Sequence, residues 1–263
     1  MKINNVLVVF TNPTTEEYKS TLTIVKKILK KYGINFISAN RDRLDKKIFK
    51  DQDLIIAVGG DGTFLRAAQF IKNQILFGVN ADVKNKEGFF MMSNKNDFER
   101  KLGKIINGRF KIKKLPRLEA RINNKKIEML ALNEFFIGPR KSYHAAKYLL
   151  MIDGKKERQK SSGILATTPT GSYAWAKSCC NKTLPLNSRS YQYVVREPYE
   201  GEVFRNYKLK YGVIAHNQKI TVVSEMLNGI LVADSVSKEY VLKNGSTVVI
   251  RLSDNYLSAI WFK

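Results

Sequence analysis

Through residues 1–110 the apolar positions recur in two alternating rhythms. Short apolar runs at 6–10, 54–58 and 75–79, and the segment 34–37, predict strands. Between them, 17–31 places Leu22, Val25, Ile28 and Leu29 on one helical face, and 63–73 does the same with Phe64, Ala67, Ala68 and Ile71. Gly33 ends the first of these helices. A third is predicted over 96–106, capped near 93–96 and stopped by Gly108. Strands alternating with helices predict a parallel, Rossmann-like sheet covered on both faces, which binds its ligand at the carboxyl ends of the strands.

The rhythm changes near residue 110. Short alternating segments follow at 118–122, 130–137, 147–152, 191–195, 220–223, 230–233, 247–252 and 258–262. Turn pairs stand between many of them: Asn123-Asn124, Asp153-Gly154, Asn228-Gly229 and Asn244-Gly245. One helix interrupts the series from near Gly171, carrying Tyr173, Ala174, Trp175 and Ala176. The expected architecture is an α/β N-terminal domain, 1–110, and a mostly β, sandwich-like C-terminal domain, 111–263, meeting over a cleft.

At 263 residues the chain suits one large or two modest domains. No apolar stretch has the length of a membrane span. The first apolar run is too short for a signal peptide and no cleavage site follows it, so a cytoplasmic location is expected. Cys179 and Cys180 are neighbours and no second pair exists, which predicts reduced thiols. His144 and His216 have no Cys or His near them in sequence, so no zinc site is expected. The net charge of +23 favours polyanionic partners. The basic residues are scattered and no nucleic-acid motif appears, so specific nucleic-acid binding is not expected.

The densest chemical signal is Gly59-Gly60-Asp61-Gly62-Thr63, directly after the apolar run 54–58. Glycine tolerates positive φ and lets an anion touch the backbone. The helix that follows points free N–H groups at the same place. A lone carboxylate there needs a task, such as accepting a proton or holding a metal. No Lys-Ser/Thr pair follows, so the turn is not a P-loop, and the glycine spacing is not the dinucleotide fingerprint.

Two further segments stand out. Asn133-Glu134 interrupts an apolar strand, a costly place unless the pair meets a partner or a cleft. Lys160-Ser161-Ser162-Gly163 and Thr168-Pro169-Thr170-Gly171-Ser172 lead hydroxyls and a glycine into a helix, which serves either capping or an anion or ribose site. Lys160 is either a phosphate contact or a solvated lysine.

In order and spacing, Gly59 to Thr63, Asn133-Glu134 and Thr168 to Ser172 together resemble the NAD kinase family over most of the chain. That family belongs to a wider group of kinases sharing the Gly-Gly-Asp-Gly-Thr turn. Ala131 to Gly138, Lys160 to Gly163, Thr170 to Ser172 with Ala174-Trp175, and Arg196-Glu197-Pro198 are similar to the mitochondrial-type members. The resemblance implies an NAD kinase-like fold and transfer of the γ-phosphoryl of ATP, or of polyphosphate, to the adenosine-ribose 2′-hydroxyl of NAD(H). It implies Mg²⁺ or another divalent cation brought with ATP rather than held by a protein cluster, and a homodimer or homotetramer. Asp61 would be the catalytic carboxylate, and Gly59, Gly60, Gly62 and Thr63 the phosphate contacts. Asn133, Glu134, Lys160, Ser162, Thr170, Ser172, Ala174 and Asp234 would serve the dinucleotide.

The chain departs from the family at Ser161-Ser162, where many bacterial members carry Gly-Asp, and at Trp175, where Tyr is frequent. Its C-terminal segment is shorter than usual, and no transit peptide is expected. Two alternatives share the glycine turn: a lipid kinase and a non-catalytic nucleotide-binding protein.

Overall fold

The structure, a computed structural model, describes residues 3–236 and 238–262. It comprises two compact units, Met1–Lys114 with Leu257–Lys263, and Leu115–Tyr256. The first carries β1 (Asn5–Phe10), α1 (Glu16–Lys31), β2 (Asn35–Asn40), β3 (Leu54–Gly59), α2 (Asp61–Ala68), β4 (Ile75–Asn80), β5 (Met91–Asn94), α3 (Phe98–Ile106) and β6 (Lys111–Leu115). Their sheet runs β2-β1-β3-β4, then the last strand of the chain, Leu257–Trp261, then β6, with β5 beside β4. Pairing along β2-β1-β3-β4 is parallel, as the alternating rhythm predicts.

Central β1 and β3 are almost wholly buried, which is why they read as unbroken apolar runs. The Thr15 hydroxyl caps α1 by accepting the Tyr18 N–H at 3.2 Å. Gly33 (φ +64°) and Gly108 (φ +70°) close α1 and α3 in left-handed turns.

Two expectations change, and two strands enter that carried no expectation. The helix predicted over 63–73 is Asp61–Ala68, so Asp61 lies in its first turn rather than in a loop before it. The segment 258–262 is indeed a strand, but it lies in the parallel sheet beside β4 (Ser258 opposite Ile75) and not in the β layers. β5 and β6 give no periodic signal: β5 is four residues long, and β6 is a lysine-rich edge.

The second unit holds two six-stranded sheets. One runs Lys155–Ser161, Ala146–Ile152, Ile220–Ser224, Thr247–Leu252, Leu118–Ile122, Lys125–Ala131. The other runs Tyr211–Ile214, Tyr191–Arg196, Gly163–Thr167, Glu134–Pro139, Gly229–Ala233, Tyr240–Leu242. Strand pairs within both are antiparallel. A single core joins their inner faces, with Leu118, Tyr148 and Ile250 from the first sheet and Phe135, Tyr191 and Leu231 from the second. The Tyr191 hydroxyl donates across it to the Ile250 carbonyl at 3.1 Å.

Asn123-Asn124 and Asp153-Gly154 are hairpin turns with both residues at positive φ. Asn228-Gly229 and Asn244-Gly245 instead lie on connections that change sheets. The helix expected from Gly171 breaks into a 3₁₀ turn, Gly171–Tyr173, and a six-residue helix, Trp175–Cys180. That helix packs Ala176 onto Leu165 and Val194, and its two cysteines are free thiols. Among the described residues no helix is long and apolar enough to cross a membrane.

Candidate active site

In the α/β unit, strand β3 passes into α2 through a single residue, Gly60, in extended backbone (φ −117°, ψ −173°). None of Gly59, Gly60 and Gly62 has positive φ. Positive φ is therefore not what requires glycine here; space is. A Cβ on Gly59 would stand 2.3 Å from the Thr63 Oγ1 and 2.6 Å from the Tyr18 hydroxyl. At Gly60 and Gly62 the nearest atoms are basic side chains, Lys86 and Arg41, each 3.2 Å from the position a Cβ would take. The Arg41 guanidinium and the aliphatic stem of Lys86 thus overhang a turn whose helix begins with the unpaired N–H groups of Asp61 and Gly62. Neither cation carries a sequence signal, because each lies in a polar segment far along the chain from the turn.

The Asp61 carboxylate accepts the Phe89 N–H through Oδ2 at 3.0 Å and the Phe90 N–H through Oδ1 at 2.9 Å. A carboxylate has about four lone-pair sites, so each oxygen keeps capacity for another donor. Beneath it the Phe64 and Phe90 rings stack at 4.7 Å. Thr63 is 1% exposed, and its hydroxyl faces Gly59 rather than open space. The neighbouring Tyr18 hydroxyl donates to the Val58 carbonyl at 2.7 Å, and burial pushes its pKa up.

The second constellation lies in the β unit. Asn133 and Glu134 stand where Glu134–Pro139 begins, and both are buried. The Asp234 carboxylate accepts the Leu132 N–H at 2.9 Å, the Asn133 N–H at 2.7 Å and the Glu134 N–H at 3.3 Å. Asp234 and Ser235 both hold left-handed φ, +55° and +53°, and the Asp234 N–H returns to the Glu134 carbonyl at 2.9 Å. The backbone corner is therefore fully bonded, while Asn133 Oδ1 and Glu134 Oε2 remain buried oxygens without a partner. Two adjacent orphaned oxygens fit a ligand that presents hydrogen-bonding groups of its own.

Burial first, then the charge of Asp234, pushes Glu134 up to about 8, so it carries a proton at neutral pH. Arg117 is also buried, which lowers its pKa to about 10, while the charge of Asp234 acts against that shift. It remains charged and balances Asp234.

The raised Glu134 value has a consequence for stability. Between about pH 4.5 and about 8 the unfolded chain gives up the Glu134 proton and the folded chain keeps it, so this group's contribution falls as pH rises through that window. Glu134→Gln is expected to flatten the decline in thermal midpoint between about pH 5 and about pH 7.5, measured by calorimetry on both proteins. Equal slopes in the two would clear Glu134 of this role.

The hydroxyl-rich turn packs onto the same corner. The Thr168 and Thr170 hydroxyls each donate to the Leu132 carbonyl at 2.6 Å. Thr167 donates to the Asn133 carbonyl at 3.1 Å. A Cβ on Gly171 would stand 2.0 Å from the Asn133 carbonyl oxygen, so this position admits glycine alone. The Ser172 hydroxyl donates to the Pro169 carbonyl at 2.7 Å and accepts the Leu184 N–H at 2.8 Å. Ala174 forms the break before the short helix. The structure thus gathers Asn133, Glu134, Thr170, Ser172 and Asp234 around Leu132 and Asn133.

Lys160 and Ser162 lie apart from that corner. With Ser161, Glu197 and Tyr199 they line a cavity of about 430 Å³. The Lys160 ammonium rests over the Tyr199 ring at 4.0 Å, and the Ser162 N–H donates to the Arg196 carbonyl at 2.9 Å. Arg196 lies over the Trp175 ring at 4.6 Å, which gives the Trp at that position a packing role. Among the described residues no three His, Cys, Asp or Glu side chains gather into a metal site.

The family model described as the ATP-NAD kinase N-terminal domain matches residues 4–110. A probable NADH kinase of Oryza sativa subsp. japonica is 26% identical over 255 residues, covering 89% of this chain and 78% of the relative. The NAD kinase of Teredinibacter turnerae is 30% identical over 214 residues, covering 79% of this chain and 71% of the relative. Among solved structures, an NAD kinase from Archaeoglobus fulgidus in complex with ATP superposes with a TM-score of 0.77 at 24% identity, covering 98% of this chain and 93% of the other. Yeast NADH kinase complexed with NADH superposes with a TM-score of 0.84 at 17% identity, covering 100% and 84%.

Proposed function

The chain belongs to the NAD kinase family, and on that premise we propose that it phosphorylates the adenosine-ribose 2′-hydroxyl of NAD or NADH with the γ-phosphoryl of ATP. The observation that carries this reading is the Asp61 carboxylate, fixed in the first turn of α2 by two amides and still able to accept a hydroxyl proton. Phosphoryl transfer asks mainly for positioning and charge neutralisation. The Asp61 and Gly62 amides, with Arg41 and Lys86 above Gly62 and Gly60, would hold the triphosphate. A carboxylate at that anion site would take the proton as the ribose oxygen attacks.

Asn133 and Glu134 would meet the dinucleotide through their unpartnered oxygens. Thr170, Ser172 and Asp234 would act by fixing that corner, with Ala174 at its edge. Lys160 and Ser162 would serve the dinucleotide from their separate cavity. Mg²⁺, or another divalent cation, would arrive on the triphosphate and supply positive charge there. Polyphosphate as an alternative donor, a homodimer or homotetramer, and a cytoplasmic location complete the proposal.

The test is a coupled assay for NADP or NADPH after mixing the protein with Mg²⁺, each donor and each dinucleotide. Product from NAD or NADH with ATP is expected. Tight dinucleotide binding without product would overturn the reading. Asn133→Ala is expected to raise the KM for NAD while leaving the thermal midpoint within about 3 °C of wild type. An unchanged KM would remove Asn133 from the site.

A further inference from the structure

Residues 81–90, after β4, form a loop, and its amides hold the carboxylate on which the proposed chemistry turns. A side chain in the first turn of a helix is ordinarily free to rotate about χ1 and χ2. Asp61 is gripped through both oxygens by consecutive amides, those of Phe89 and Phe90, 3.0 and 2.9 Å away. Their position depends on the loop before them.

Asn80, the last residue of β4, braces that loop. It is 7% exposed. Its Oδ1 accepts the Asp82 N–H at 3.0 Å, and its Nδ2 donates to the Lys86 carbonyl at 3.2 Å, so one side chain ties both arms together. The Asp82 carboxylate accepts from the Asn85 backbone and side chain at 3.0 to 3.3 Å. The Ala81 N–H donates to the Gly59 carbonyl at 2.9 Å, joining the loop to the glycine turn itself.

Gly88 then turns the chain toward α2 with φ +68°. A Cβ there would stand 2.6 Å from Asn80 Nδ2 and 3.1 Å from Met91 Cβ. The position needs glycine twice over, for its left-handed backbone and for the packed amide beside it. Phe90 stacks on Phe64 of α2 at 4.7 Å, and Phe89 meets Trp261 edge-on at 6.3 Å. The loop is therefore packed and bonded on the side that faces the carboxylate.

We propose that Asn80 and Gly88 are positioning residues for phosphoryl transfer, holding the 81–90 loop so that its Phe89 and Phe90 amides fix the Asp61 carboxylate toward the attacking hydroxyl. This rests on the reading of Asp61 as the proton acceptor. Neither residue need touch substrate. Their effect reaches the reaction through Asp61, which separates this role from a general contribution to stability.

The test is a double-mutant cycle on the purified enzyme in the coupled assay, with thermal unfolding recorded for every protein. Gly88→Ala and Asn80→Ala are expected to lower kcat by about 10- to 100-fold while the KM values for ATP and NAD change less than about 3-fold. In an Asp61→Asn background the same changes are expected to have little further effect. Should Gly88→Ala or Asn80→Ala fail to fold, Asn80→Asp serves the same purpose: it keeps the acceptor for the Asp82 N–H and sets a carboxylate oxygen against the Lys86 carbonyl in place of the donor. Folded loop variants with wild-type kcat would overturn the inference and leave Asp61 in place. So would a kcat loss of equal size with and without the Asp61 carboxylate. If Asp61→Asn alone turns over at the wild-type rate, the proton-acceptor reading fails, and this inference falls with it.

Discussion

Replacing Asp61 with Asn is expected to lower kcat by about 10²- to 10⁴-fold, the usual contribution of a positioned general base. The substitution keeps the size of the side chain and removes the group that takes the proton. It also exchanges one acceptor oxygen for an NH₂ facing the N–H of Phe89 or Phe90. An orphaned amide costs about 1–3 kcal/mol, so a small fall in thermal midpoint is expected beside the kinetic loss. The two effects separate experimentally: titration calorimetry with NAD counts the folded, binding-competent protein, and kcat is expressed per competent site. A rate near wild type on that scale would remove Asp61 from the mechanism.

Asp234→Ala is expected to produce the second large effect, on stability more than on chemistry. The lost carboxylate leaves the N–H groups of Leu132, Asn133 and Glu134 buried without their acceptor. It also leaves buried Arg117 without its balancing charge. At about 1–3 kcal/mol for each buried group left unpaired, the loss is a large part of the margin by which a domain is folded. A fall of about 10 °C in thermal midpoint is expected. Asp234→Asn retains one acceptor oxygen and is expected to lie between Ala and wild type. If Asp234→Ala melted with the wild-type protein, the carboxylate would not be what holds the corner.

The parallel sheet was legible because β1 and β3 are buried on both faces and nothing polar interrupts them. The two hairpins at Asn123-Asn124 and Asp153-Gly154 were legible because their turns demand positive φ at both positions. Which sheet a strand enters was not. The segment 258–262 alternates like its β neighbours, and periodicity says nothing about a partner some 180 residues earlier in the chain.

At the site, Asp61 and the pair Asn133-Glu134 carried signals because each breaks a local pattern. Arg41, Lys86 and Asn80 carried none. They come from polar loops, where a basic residue or an amide is unremarked until the fold brings it to the glycine turn. Thr168 and Thr170 were legible as hydroxyls at a helix start. That both donate to one carbonyl, that of Leu132, depends on tertiary pairing.

The α/β unit takes its penultimate strand from the far end of the chain, Leu257–Trp261, inserted between β4 and β6. A ribosome therefore delivers nearly all of this sheet before the second unit and its missing member after it. Until residues 257–261 emerge, β4 and β6 flank a vacant slot, and Phe89 lacks the indole it meets in the folded unit. The nascent polypeptide cannot mature strictly from front to back: its first unit waits on the completion of its second. Premature termination anywhere upstream of residue 257 would leave the glycine turn intact in sequence and the scaffold behind it open.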